Sequence, residues 1–216
     1  MARAATVLRP GFGWLKAAVF LAALVPFGMI AAGAWSGDLG ANPVETLIHH
    51  FGDWALRLLL ATLAVTPLRR LTGWNQAVRL RRMLGLFAFF YASLHLATYF
   101  VLDRSLLLEE ILDDLTERPY IMVGFAAFVL LVPLAATSTN AMIRRLGGRR
   151  WRALHRVVYV AAAGGVIHFW WLVKADVREP LIYAAVLVLL LALRLPSVVP
   201  FLRALPGRIR RRPAPG

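Results

Sequence analysis

Cysteine is absent from all 216 residues, which excludes disulfides, iron–sulfur clusters and covalent haem attachment through a C-x-x-C-H motif. Any metal centre must therefore use histidine, methionine or carboxylate. The chain also lacks a Gly-rich phosphate loop, a nucleophile elbow and paired catalytic carboxylates. It has no room for a soluble catalytic domain, since the longest polar connection is about 20 residues and only about 20 follow the last apolar run. Acids are scarce as well, 11 against 25 Lys and Arg.

What the chain has in excess is apolar length. Hydrophobic residues make up 60% of it, more than one soluble core needs, and the pattern is that of an integral membrane protein. Six runs predict transmembrane helices: 14–34, 52–68, 83–101, 119–137, 153–173 and 180–195. Each approaches the ~20 residues that cross a ~30 Å hydrocarbon layer. The expected fold is an all-α integral membrane bundle of six transmembrane helices over 14–195, with a short N-terminal segment, 1–13, and a basic tail, 196–216. The first run also has features of a cleavable signal peptide, but its length favours an uncleaved helix.

The net charge of +14 would suggest nucleic acid in a soluble protein; here its distribution decides otherwise. Twenty of the 25 cations fall in four clusters: Arg3 to Lys16, Arg69 to Arg82, Arg144 to Arg156, and Arg194 to Arg212. These are alternate connections, and all 11 acids lie on or beside the others. The positive-inside rule then puts both termini in the cytoplasm and the acidic loops outside. No aromatic-basic module accompanies the clusters, so nucleic-acid binding is not expected.

Ionisable side chains inside spans are costly and mark function. Three of the five histidines are so placed: His95 in the third run, and His155 and His168 near opposite ends of the fifth. His95 and His168 stand at matching depth on antiparallel helices, as the axial ligands of a low-spin haem would. A lone histidine in a span more often hydrogen-bonds a neighbouring helix; the pairing favours the metal. His155 has no evident partner, because the position 14 residues before His95 is Arg81. Arg81, Arg82, Arg152 and Arg156 could pair with haem propionates near His155, as could Arg104, Lys174 or Arg178 at the other end. A proton-coupled transporter using these histidines as relays is the alternative, although no broken-helix pair or inverted repeat supports it.

Together, "NPVE" with His49, "RRMLGLFAFFYASLHLATY", "RPY" at 118–120, "TSTNAM", "LGGRRWRALHRVVY", "IHFWW" and "PLIYAAVLVLLLALR" resemble the MsrQ (formerly YedZ) family, within the ferric-reductase-like transmembrane group. The resemblance covers most of residues 42–194. It implies one or two haem b groups held by His95, His155 and His168, with electrons drawn from the quinol pool in the bacterial inner membrane. It further implies delivery to a periplasmic molybdenum-containing subunit that reduces methionine sulfoxide in oxidised proteins. Flavin mononucleotide is also associated with the family, and no residue here places it. Larger relatives in the group carry a second histidine pair and a flavin-nicotinamide domain; this chain has Arg81 in place of the fourth histidine and lacks the domain.

Overall fold

A computed structural model describes residues 12–173, 175–195 and 198; Arg3, Arg9, Lys174 and the tail cations from Arg203 onward lie outside them. Among the described residues the regular structure is entirely helical: α1 (Phe12–Ser36), α2 (Pro43–Thr72), α3 (Val78–Thr98), α4 (Leu108–Glu117), α5 (Pro119–Ala136), α6 (Asn140–Leu146), α7 (Gly148–Leu154), α8 (Val158–Leu172) and α9 (Arg178–Ala192). A 3₁₀ turn (Asn75–Ala77) leads into α3, a π-helical turn (Tyr99–Asp103) ends it, and a 3₁₀ turn (His155–Val157) joins α7 to α8.

Each of the six apolar runs overlaps one of these helices. Among the described residues, four helical segments are long and apolar enough to cross a membrane: Phe12–Ser36, Pro43–Thr72, Asn75–Asp103 and Pro119–Ala136. At 15 residues each, α8 and α9 rise only about 22 Å, short of a ~30 Å core. The fifth run is not one continuous helix, because the 3₁₀ turn begins at His155. Spacing from His155 to His168 therefore does not follow ideal helical rotation.

The second helix begins well before its apolar run. Pro43 occupies its first turn, where a missing N–H costs nothing, and the Asn42 side chain accepts the Glu45 N–H at 3.3 Å. His49 and His50 are consequently helical rather than loop residues, and His50 Nε2 lies 2.9 Å from the Pro26 carbonyl. This helix is central: half of its apolar window is buried against protein, compared with 17–22% for the other three. Its Leu56, Leu59, Leu60 and Leu63 meet Phe87, Ala88 and Tyr91 of α3, Ala162 and Val166 of α8, and Leu187 and Leu190 of α9.

Proline within α1 is accommodated by a partner helix. Pro26 lacks an N–H and interrupts the ladder. Fully buried Tyr91 inserts its hydroxyl there, accepting from Phe27 N at 3.0 Å and donating to Ala23 O at 2.8 Å. Arg57 pairs with Asp53 at 3.3 Å, as its one-turn spacing predicts, and also donates to the Tyr183 hydroxyl at 2.8 Å. Gly164 lies where a Cβ would stand 3.1 Å from the Ala127 Cβ, so it serves the packing of α8 on α5.

Candidate functional site

Histidines 95 and 168 meet across the bundle with ring centroids 6.1 Å apart and planes at 76°. Two local arrangements of the same kind put them there. His95 on α3 directs Nδ1 to the Ile48 carbonyl of α2 at 2.9 Å, and His168 on α8 directs Nδ1 to the Tyr120 carbonyl of α5 at 2.7 Å. Four residues after each acceptor stands a glycine. A Cβ added at Gly52 would sit 3.0 Å from His95 Nδ1, and one at Gly124 only 2.6 Å from His168 Nδ1. The glycines are what let each imidazole approach the neighbouring helix backbone.

The acceptors also fix the tautomers. A carbonyl can only accept, so both Nδ1 atoms carry the hydrogen and both Nε2 atoms keep a lone pair. Orientation of a ligating imidazole through its other nitrogen is the usual support of a metal-bound histidine. Metal–imidazole bonds of about 2 Å, with Nε2 about 1 Å from the ring centre, put the centroids of a metal-bridged pair about 6 Å apart. The observed separation matches. Among the described residues no group of three or more His, Asp or Glu gathers to hold a bare ion. Two facing imidazoles supply only the axial positions of a six-coordinate metal, and a planar macrocycle supplies the other four. The donor set therefore fits haem.

The pair lines a cavity of about 270 Å³ whose walls include Leu56, Phe100, Phe125 and Phe128, and whose rim carries Arg104 and Arg118. That volume is just under the ~300–1,000 Å³ usual for small-molecule sites. At the other end of the bundle a second cavity, about 860 Å³, is lined by His155, Arg81, Arg82, Lys16, Arg79 and Arg194, with no carboxylate in its wall. His155 thus lines a different cavity from His95 and His168. Its Nε2 lies 3.1 Å from the Thr137 hydroxyl and its ring stacks on Trp151 at 3.9 Å, so its Nε2, unlike those of the other two, already has a partner. Trp151 is anchored in turn by donating to the Thr137 carbonyl at 2.9 Å. Arg82 donates to Asn140 at 2.7 Å, and Arg194 to the Tyr159 hydroxyl and the Leu63 carbonyl at 2.7 and 2.6 Å.

Comparison with known proteins identifies the family. The sequence profile described as ferric reductase like transmembrane component matches residues 51–166. Three proteins named protein-methionine-sulfoxide reductase heme-binding subunit MsrQ are similar over nearly the whole chain. That of Herminiimonas arsenicoxydans is 52% identical over 187 residues, 86% of each chain. That of Ralstonia nicotianae is 54% identical over 182 residues, 83% of this chain and 84% of the relative. That of Rhodospirillum rubrum is 54% identical over 184 residues, 85% and 88% respectively. The chain belongs to the MsrQ family. Within that family's ferric-reductase-like core fall His95, His155, Gly52 and Gly124, while His168 lies just past the matched segment.

Sequence reasoning singled out the three histidines as candidates and missed the groups that orient His95 and His168. Gly52 and Gly124 were legible in principle, since a glycine in an apolar helix signals close approach of another group. The carbonyls of Ile48 and Tyr120 carry no side-chain signal.

Proposed function

We propose that the protein is a b-type cytochrome, the haem-binding membrane subunit of a methionine-sulfoxide reductase system, which accepts electrons from quinol and passes them to a periplasmic molybdenum-containing partner. The observation that carries this reading is the matched pair of imidazoles, each with Nδ1 donating to a helix carbonyl and Nε2 free. Bound between His95 and His168, haem would supply a one-electron iron couple. His95 and His168 would hold it, the apolar aromatic walls would exclude water, and Arg104 and Arg118 at the rim would offer cations to its carboxylates. At the other end, His155 with Arg81 and Arg82 provides a second candidate centre, which would require His155 to exchange Thr137 for the metal.

In this reading α8 and α9 are the fifth and sixth spans of a domain over 14–195, with 1–13 and the tail 196–216 in the cytoplasm of a bacterium and the basic cavity facing inward. The His95–His168 end, with the acidic connections, faces the periplasm. Electrons then enter from the lipid or the inner side and leave at the outer one. No grouping of described residues assigns a seat to flavin mononucleotide, and the path does not use it.

The test is the visible spectrum of the protein purified from haem-replete cells. The paired imidazoles predict sharp low-spin bands on reduction; a colourless preparation overturns the proposal.

A further inference from the structure

Among the described residues Asp114 is the one charged residue that is buried, 6% exposed on an amphipathic α4. One hydroxyl and two guanidinium groups converge on it. Tyr99 donates its hydroxyl to Oδ2 at 2.8 Å, Arg104 Nε stands 2.7 Å from Oδ2, and Arg118 Nε stands 3.1 Å from Oδ1. Two of these partners, Tyr99 and Arg118, belong to segments that also position an imidazole. Tyr99 follows His95 by one turn at the end of α3. Arg118 caps the start of α5, its carbonyl accepting the Ile121 N–H at 2.9 Å, and lies two residues before Tyr120, whose carbonyl orients His168. Arg104 opens the turn between them and also meets Asp103 at 3.3 Å and Glu110 at 3.6 Å.

That turn is itself under constraint. Ser105 and Leu106 have φ of 47° and 61°, left-handed values that non-glycine residues adopt only where the surroundings over-determine them. Here the Leu106 N–H reaches the Phe100 carbonyl and the Leu107 N–H reaches the Arg104 carbonyl, both at 2.8 Å. The backbone is folded back so that α4 delivers one carboxylate to the junction of two helix ends.

We propose that Asp114 is a positioning residue for the His95–His168 pair: by clamping the end of α3 to the start of α5 it holds the two imidazoles at their observed separation and mutual tilt. The proposal rests on the reading of that pair as haem ligands. Asp114 touches neither imidazole and acts through the helix ends.

The experiment is electron paramagnetic resonance of the ferric protein, whose low-spin line shape reports the angle between axial imidazole planes, on Asp114→Asn, Asp114→Glu and Tyr99→Phe. The Tyr91→Phe variant, altered at the α1 proline one turn to the other side of His95 from the clamp, is the control for lost stability alone. Asp114→Asn and Tyr99→Phe should each shift the low-spin signal and convert part of it to high spin; Asp114→Glu should restore much of the native signal, and Tyr91→Phe should leave it unchanged. Because Tyr99→Phe changes no charge, its response separates positioning from electrostatics, and it carries the test alone if Asp114→Asn does not fold. Native line shape and spin state in Tyr99→Phe and in any folded Asp114→Asn, whatever their thermal stability, would overturn the positioning role. Absence of a low-spin signal in the unsubstituted protein would instead overturn the haem reading beneath it.

Discussion

Each imidazole of the pair depends on a missing methyl group. At Gly124 an added Cβ would meet His168 Nδ1 at 2.6 Å, inside any tolerable contact, whereas at Gly52 the approach to His95 is 3.0 Å and a small shift relieves it. Gly124→Ala should therefore lower haem occupancy more than Gly52→Ala, with overpacking costing about 1–3 kcal/mol of stability. Haem-to-protein ratio after purification measures the first effect and thermal unfolding the second; equal occupancy in both variants would contradict the geometry. The histidines should separate by cavity. His95→Ala and His168→Ala should abolish one and the same low-spin component, while His155→Ala should leave it and change only a distinct centre. Loss of a single component in all three variants would show that one centre serves them all.

At the scale of the helices, the apolar runs each overlap a helix, because burial in lipid and burial in protein impose the same demand for hydrophobic residues, although only four of the described helical segments are long and apolar enough to cross a membrane. They did not locate helix ends, which polar caps set: Asn42 and Pro43 start α2 nine residues before its apolar run. Nor did they show the break at His155, since "LHRVVY" is as apolar as a continuous helix would be. The candidate metal ligands were legible because ionisable groups stand out in lipid; backbone carbonyls, glycine contacts and the Asp114 clamp depend on which helices touch, and a single chain of letters does not record that. Tyr91 is another such case. Its hydroxyl sits between the Phe27 N–H and the Ala23 carbonyl beside Pro26. Tyr91→Phe leaves those groups to pair with each other at longer range and should cost about 0.5–1.5 kcal/mol, read as a lower unfolding temperature with the haem spectrum intact.

For the molecule as a whole, charge divides the two ends, and the structure changes what a test of that division must look like. The acidic connection folds into α4, where Ile111 and Asp114 face inward and Leu108, Leu112, Glu109, Glu110, Asp113 and Glu117 face out. Reversing all four acids from Glu109 to Asp114 would confound docking with collapse of the clamp, because Asp114 is buried between two arginines, and removing one member of such a group commonly costs about 3–5 kcal/mol. Glu110 is better left alone too, as it lies 3.6 Å from Arg104. The informative variant is Glu109→Lys, Asp113→Lys and Glu117→Lys together, three outward acids in none of the described ion pairs. If this face steers a partner with a basic patch, the variant should slow electron transfer to that partner several-fold at low ionic strength, keep its haem content and its reduction by quinol, and lose the difference at high salt, where exposed charges are screened within about 10 Å or less. Stopped-flow oxidation of the reduced protein by the partner across a salt series measures this. An unchanged rate at low salt would leave the outward leucines of α4 to the membrane surface, which amphipathic helices of this pattern also favour, and would move the docking face to the connection before α2 and that helix's first turn, which carry Asp38 and Glu45.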